Sequence, residues 1–284
     1  MTLVVLGPAT EDIIIKNGMK ESKVGGATFF QAFVYEALNI DYLAIVNLSN
    51  LDIIDKFPDK NKVLALLKED THFFINEYPD EDNLDLRVQL SNFANIPIYV
   101  KDIKPLLDKI DKIDAFVINP LNQYDFPRET IDYLKNFRVP IYLSIQGFLR
   151  KKDYLKNDDG YRGILLDKNL DILSIVDGTS GIFLDENEFH IMFEDNDFSS
   201  CNVGEIIVTN GSKGSRIISN INDNEIIIEP VGQKYIVDST GCGDTYMAAY
   251  ISKKLEANSS LEAGNFASLI ASEKLSSDGP YKKL

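Results

Sequence analysis

The sequence is poor in the side chains that build disulfides and metal clusters. Its 284 residues include only two cysteines, Cys201 and Cys242, and two histidines, His72 and His190. Two cysteines cannot supply a disulfide framework and favour a reducing compartment such as the cytoplasm. Neither histidine stands at metal-ligand spacing from a cysteine or carboxylate cluster, so we expect both to be structural or exposed.

Long apolar runs and an excess of basic residues are also missing. No segment approaches the ~20 apolar residues needed to span a bilayer, and the N-terminus lacks the basic region of a signal peptide. The 29 basic side chains are outnumbered by 44 acidic ones, which gives a net charge of −15. This balance argues against nucleic-acid and membrane partners. A small phosphorylated ligand stays compatible, because a few local donors can hold it.

Three common site motifs are absent as well. The sequence contains no G-x-x-x-x-G-K-[ST], no G-x-G-x-x-G and no G-x-S-x-G. A Walker A loop, a dinucleotide fingerprint and a serine-hydrolase elbow are therefore excluded.

What the chain does contain is an alternation of short apolar runs with segments of helical spacing. Strands are predicted over residues 3–7, 42–48, 115–119, 140–145, 172–176 and 205–211. Helices are predicted over residues 27–38, 105–110, 127–137, 245–255 and 261–275. Most of these strands are continuously apolar, which is typical of parallel strands covered on both faces. The pattern predicts a doubly wound α/β sandwich with a mostly parallel sheet.

A few segments break this alternation. Residues 13–23 contain Asn17-Gly18 between short flanks, which predicts a hairpin, and residues 71–100 contain two β-like pieces joined by an acidic loop. A further hairpin is predicted over residues 215–230. Residues 151–160 are predicted to be a polar loop. Because no clear linker occurs, we expect one domain over residues 1–284.

The most informative segment is "VDSTGCGDTYMAA", residues 237–249. Gly241 and Gly243 allow close backbone approach to a ligand, and a helix follows at once. The unpaired N–H groups of that helix start form an anion site. Asp244 then has two possible roles, either capping the helix or acting as a general base that deprotonates an attacking hydroxyl.

This segment resembles the C-terminal signature of ribokinase-like (PfkB-type) carbohydrate kinases, approximately D-[TS]-x-G-[AC]-G-D before a helix with small residues. The resemblance implies that Asp244 is the catalytic base and that the backbone of Gly241, Cys242 and Gly243 forms an anion hole, with Cys242 in place of the commoner alanine. It also implies a three-layer α/β/α sandwich with a small β-sheet lid, here at about residues 12–24 and 71–100.

A second motif of the same family lines the sugar site. "VGGATFFQAF" is similar to it and implies that Gly25, Gly26 and Asp12 bind the acceptor. Without the resemblance, a tight turn explains the glycines and a solvated turn carboxylate explains Asp12. Phe30 stands where ribokinases carry asparagine, which argues against ribose, and two segments look more like a branch that includes myo-inositol kinases. Arg87 is expected either to face the substrate from the lid or to be a solvated edge charge.

The resemblance further implies ATP as donor. "IVTNGSKGSRI" is similar to the family's T-x-G-x-x-G segment and implies a nucleotide site that comprises Thr209, Asn210, Gly211, Lys213 and Gly214. A β-turn in a hairpin is the alternative.

A magnesium site is implied in the same way. "FLDENEFHIM" resembles an N-x-x-E region, with Asp185 and Glu188 at the motif ends as candidates that act on Mg²⁺. The alternatives are a register that starts at Asn187 and ends at His190, or a solvated acidic helix start.

The sequence thus predicts an ATP-dependent kinase that phosphorylates a hydroxyl of a small sugar or cyclic polyol. A nucleoside kinase of the same family and a non-catalytic nucleotide- or sugar-binding regulatory protein are the alternatives. Exposed strand edges of the lid predict a homodimer.

Overall fold

The computed structural model describes residues 1–16, 18–79, 88–158, 160–193, 198, 200–219, 224–233 and 235–283. The strands are β1 Thr2–Leu6, β2 Thr10–Lys16, β3 Met19–Gly25, β4 Asp41–Leu48, β5 Val63–Leu67, β6 His72–Tyr78, β7 Val88–Ser91, β8 Ala115–Ile118, β9 Ile141–Ser144, β10 Arg150–Asp158, β11 Tyr161–Leu166, β12 Gly181–Asp185, β13 Glu205–Thr209, β14 Ser215–Ser219 and β15 Asn224–Ile228. The α-helices are α1 Ala27–Ala37, α2 Val100–Leu107, α3 Arg128–Lys135, α4 Gln146–Leu149, α5 Ile172–Val176, α6 Glu186–Met192, α7 Cys242–Ala257 and α8 Ser260–Leu275.

A nine-stranded sheet forms the centre of the molecule, in the order β15-β14-β13-β12-β9-β8-β1-β4-β5. The strands from β13 to β5 pair in parallel, and β14 and β15 add an antiparallel edge. One buried cluster packs α1, α7 and α8 on one face, and a second packs α2 to α6 on the other. The predicted three-layer sandwich on a mostly parallel sheet is therefore confirmed.

A second sheet of six strands has the order β10-β11-β7-β6-β2-β3. It contains the hairpin predicted within residues 13–23, as β2 and β3, and the two β-like pieces of residues 71–100, as β6 and β7. The strands β2 and β6 pair in parallel, and the other neighbours pair antiparallel.

Two predictions of secondary structure are wrong. Residues 172–176 form helix α5 rather than a strand, because Ile172, Ile175 and Val176 bury one helical face, and so short an apolar run does not distinguish the two. Residues 151–158 are not a loop but part of strand β10, which pairs with β11. Residue 159 lies outside the described residues. Strands β5 and β12 are not predicted from the sequence.

None of the helices among the described residues is both long and apolar enough to cross a membrane.

Candidate active site

A cavity of about 450 Å³ lies between the carboxyl ends of the parallel strands and the second sheet. The main sheet contributes Ser144, Asp185 and Thr209, which end or directly follow β9, β12 and β13, and the second sheet contributes Asp12 and Asn76. Ligands of open α/β sheets bind at this edge, because the loops that leave the strands converge there.

The glycine-rich loop and the start of α7 form one wall of this cavity. Gly241 is the N-cap of α7 with a left-handed φ of 76°, and a Cβ atom there would overlap the ring of Phe30. Glycine is therefore required both by the backbone angle and by the ring that packs on it. The buried Phe30 lines the cavity and supports this turn.

The first turn of α7 leaves N–H groups without partners. Within the described residues, no acceptor lies in hydrogen-bond range of the N–H groups of Gly241, Gly243 or Asp244, while the Cys242 N–H donates to Ser239 O at 3.2 Å. Such unpaired donors at the positive end of a 16-residue helix favour an anion.

The Asp244 carboxylate is not a helix cap. The N-cap is Gly241, and Asp244 accepts no hydrogen bond within the described part of the chain. Asp244 instead faces the cavity. Burial raises the pKa of its carboxyl to about 6, against the opposing charge of Arg150.

Arg150 is a cavity residue that the sequence did not single out. Its side chain is 6% exposed and donates to Leu121 O at 3.3 Å and to Gln89 Oε1 at 3.4 Å. Helix α4 directly precedes it, and a Cβ atom at Gly147 in that helix would overlap the main chain of Pro120. This close approach fixes the turn that carries Arg150 into the cavity. The sequence does not show that this arginine is buried in the cavity, so its importance becomes visible only in the fold.

Asp185 and Glu188 cap helix α6 reciprocally. The Glu188 N–H donates to Asp185 Oδ1 and the Asp185 N–H donates to Glu188 Oε2, both at 2.8 Å. The acidic helix start of the alternative prediction is therefore present, but Glu188 is buried and not solvated. Both side chains also line the cavity. Burial and the nearby Asp185 charge raise the pKa of Glu188 to about 7, against the Asp185 N–H bond and Arg150.

This pair of carboxylates fits a magnesium ion in its donor chemistry. Each carboxylate uses one oxygen in the cap, and Mg²⁺ is commonly held by one or two carboxylates together with water and substrate phosphates. No group of three or more potential metal ligands occurs among the described residues.

The acceptor residues predicted from the sequence meet where β2 and β3 leave the main body. A Cβ atom at Gly25 would lie 2.6 Å from Asp12 Oδ2 and 2.8 Å from Thr10 Oγ1, so glycine makes room for both polar groups. Gly26 is the N-cap of α1 with a φ of 95°. Gly26 thus serves the turn before a helix and also lines the cavity, whereas Gly25 ends β3 in register with Thr10.

The second sheet adds polar groups that the sequence did not reveal. Gln89 Nε2 donates to Asn76 Oδ1 at 2.7 Å, and Gln89 Oε1 accepts from Arg150. All three side chains line the cavity. They form a polar chain in the same cavity that Asp12 and Asp244 line. Arg87 lies outside the described residues.

The predicted nucleotide residues are divided between the cavity and the turn from β13 to β14. Thr209 lines the cavity beside Asp185, its partner in the strand register. Asn210, Gly211 and Lys213 are exposed on the turn, and Gly214 closes it by donating its N–H to Gly211 O. The turn in a hairpin is thus present, and it borders the cavity without lining it.

The two histidines lie away from this site. His72 is buried and its Nε2 is 2.8 Å from Asp125 Oδ1, while His190 is exposed with Nε2 3.4 Å from Glu186.

Comparisons with known proteins find relatives of the part of the chain that contributes much of this cavity. Residues 148–284 match the model of the pfkB family carbohydrate kinases. A segment of 86 residues is 35% identical to a nucleoside kinase of Methanocaldococcus jannaschii and spans 28% of this chain and 28% of that protein.

Solved structures with the same fold cover nearly all of the chain. A pyrophosphate-dependent kinase in the ribokinase family, complexed with a pyrophosphate analog and myo-inositol, aligns with a TM-score of 0.79 at 20% identity over 99% of this chain and 97% of that one. Ribokinase of Arabidopsis thaliana, complexed with ribose and ATP, aligns with a TM-score of 0.72 at 18% identity over 98% and 93%. These structures confirm the predicted ribokinase-like fold, and the match to the pfkB family model covers residues 148–284.

Glu188 yields a prediction about pH-dependent stability. Its folded pKa of about 7 exceeds the ordinary value of 4.5, so the unfolded chain ionises first and stability falls as pH rises between these values. Glu188→Gln keeps an acceptor for the Asp185 N–H and removes this loss. We expect urea unfolding at pH 8 to show a gain of up to about 3 kcal/mol over wild type, and none at pH 4.

The matched control is Glu129→Gln, an exposed carboxylate in the first turn of α3. It should leave the difference between pH 4 and pH 8 unchanged. Equal pH slopes of wild type and Glu188→Gln would show that Glu188 is ionised in the folded chain already at low pH.

Proposed function

With residues 148–284 in the pfkB family of carbohydrate kinases and the whole chain in the ribokinase fold, we propose that this chain transfers a phosphoryl group from ATP to a hydroxyl of a small sugar or cyclic polyol. One observation carries the proposal. The Asp244 carboxylate has no hydrogen-bond donor within the described residues, has its pKa raised to about 6, and stands beside unpaired helix N–H groups in a polar cavity.

In the proposed reaction Asp244 is the general base. With a pKa of about 6 its carboxylate is ionised at neutral pH and still basic enough to take a proton. The acceptor O–H proton passes to Asp244, the acceptor oxygen bonds to the γ-phosphorus, and the bond from that phosphorus to the β–γ bridging oxygen breaks. The leaving ADP keeps that electron pair.

Backbone donors, Arg150 and magnesium would support this transfer. The N–H groups from Gly241 to Asp244 would stabilise charge on the transferring phosphoryl group. Arg150, buried between the two sheets, would hold a phosphate oxygen. Thr209 and the turn from Asn210 to Gly214 would border the nucleotide. Magnesium, held through Asp185 and Glu188, would neutralise donor phosphate charge.

The acceptor is proposed to lie against the second sheet, which carries Asp12 and acts as a lid. Asn76 and Gln89 place an amide pair over the cavity, and amide and carboxylate groups together suit a molecule with several hydroxyls. The lid and Phe30 leave a cavity of about 450 Å³, which is large enough for a single sugar or cyclitol ring.

Inorganic pyrophosphate is a second candidate donor. The similar kinase with a bound pyrophosphate analog is pyrophosphate-dependent. In this chain, the predicted nucleotide turn lies outside the cavity lining, whereas the anion donors and Arg150 lie within it. A donor that consists only of phosphates would bind to the anion donors and Arg150 and would not need the nucleotide turn.

Donor and acceptor are tested together. ATP and pyrophosphate are each incubated with pentoses, hexoses, inositols and nucleosides, and acceptor-dependent release of ADP or phosphate is measured. We expect release with ATP and a sugar or cyclitol. Release with pyrophosphate but not with ATP would identify pyrophosphate as the donor. A preference for nucleosides would identify a nucleoside as the acceptor. Binding without any transfer would favour a non-catalytic sensor.

Asp244→Asn tests the base. Asparagine keeps the shape but cannot accept the proton, so we expect kcat to fall by about 10²- to 10⁴-fold while donor affinity stays within a few fold. The measurement is steady-state kinetics together with calorimetric titration of the donor.

Asp102→Asn is the matched control for this substitution. Asp102 occupies the same third helical position in α2, where it accepts from the Tyr99 N–H and from Lys68, outside the cavity. It should lose stability without losing kcat. A kcat of Asp244→Asn near that of wild type would refute the proposed role.

A further inference from the structure

A lysine with no exposed side-chain surface lies beneath the glycine-rich loop. Lys274 is in the last turn of α8 and is 0% exposed. Lysine is almost never fully buried unless it is paired. The pairing partner is Asp238, the aspartate of the same "DSTGCGD" segment that ends at Asp244.

The contacts of Lys274 hold Asp238 in two places. Its Nζ donates to the main-chain oxygen of Asp238 at 2.7 Å and lies 3.3 Å from Asp238 Oδ2. The Asp238 carboxylate in turn accepts from the Thr240 N–H at 2.9 Å and from the Gly279 N–H at 3.1 Å. The pair of Lys274 and Asp238 thus joins helix α8, the segment that follows it and the glycine-rich loop.

These bonds propagate directly to the cavity. Thr240, held by the Asp238 carboxylate, lines the cavity together with Ser239, whose oxygen accepts the Cys242 N–H. Gly241, the N-cap of α7, follows Thr240. Burial raises the pKa of Asp238, but the Thr240 N–H and the Lys274 charge outweigh this effect and hold it below its usual value. The Asp238 carboxyl is therefore ionised at neutral pH.

We propose that Lys274 is a positioning residue for the anion site. It fixes the main chain from Asp238 to Gly241, directly before the N–H groups that receive the phosphoryl group. The inference rests on the proposed phosphoryl transfer. Preorganised donors and charges are effective in such transfers because they need no reorganisation during the reaction.

The chain contains a lysine pair of the same kind that does not touch the cavity. Lys254 in α7 donates to Glu205 Oε1 at 2.7 Å and to Ser260 Oγ at 2.8 Å, and its side chain is 17% exposed. Neither Lys254 nor its partners line the cavity. Removing Lys254 should destabilise the chain as removing Lys274 does, but it should leave catalysis unchanged.

The experiment compares wild type, Lys274→Met, Lys254→Met and the double variant Lys274→Met/Asp238→Asn. Methionine removes the charge at similar volume, and asparagine removes the carboxylate that Lys274→Met leaves unpaired. Melting temperature, kcat with the donor and acceptor found active, and calorimetric affinity for inorganic pyrophosphate are measured for each. If Lys274→Met does not fold, the double variant carries the test.

We expect kcat of Lys274→Met to fall by about 10- to 100-fold and its pyrophosphate affinity to weaken. In the double variant, melting temperature should recover while kcat stays low, and Lys254→Met should keep kcat within about twofold of wild type. Recovery of kcat together with stability in the double variant would overturn the proposal, as would an unchanged kcat in Lys274→Met.

Failure of the proposed function gives a different result. A wild-type chain that binds pyrophosphate but transfers nothing would refute the kinase reaction. The pyrophosphate affinities would then test the role of Lys274. Equal affinity in wild type and Lys274→Met would overturn that role. A wild-type chain that neither transfers a phosphoryl group nor binds pyrophosphate would refute both.

Discussion

The packing of the Phe30 ring on Gly241 determines where helix α7 begins. Only a residue without a Cβ atom fits against this ring, and the same residue has a left-handed φ of 76°. The helix therefore starts at Cys242, and its first N–H groups and Asp244 face the cavity. Phe30 belongs to α1, so the contact also joins the first helix of the chain to its second-last one. A position that the sequence marks as a departure from ribokinases thus supports the wall on which the proposed chemistry depends.

The charges of the cavity are unbalanced without a ligand. Four carboxylates line it, those of Asp185, Glu188, Asp244 and Asp12. Among the described residues a single arginine, Arg150, lines it with them. Burial consequently raises the pKa of Glu188 to about 7 and that of Asp244 to about 6. A metal ion at the first two carboxylates and a phosphate at Arg150 and the helix start would complement this arrangement. Ionised carboxylates with raised pKa values cost folding stability, a trade-off that is common at active sites.

Much of the fold follows from patterns that the sequence displays. Continuous apolar runs identify most parallel strands, because burial on both faces leaves no place for polar side chains. The same reasoning fails for Ile172–Val176, where five apolar residues bury one side of a short helix. It also fails for β10 and β11, since the second sheet is an antiparallel layer in which lysine and aspartate are tolerated. Asp244 can be proposed from its motif, whereas Arg150, Asn76, Gln89 and Lys274 acquire meaning only from neighbours distant in sequence.

The central claim is that an ionised Asp244 accepts the proton of the attacking hydroxyl. The pH dependence of kcat/KM for the acceptor tests it most directly, because a base with a pKa of about 6 loses activity as pH falls through that value. The account predicts a constant kcat/KM near pH 8 and a decline toward about tenfold per pH unit below pH 6. A kcat/KM that stays constant down to pH 5 would contradict it.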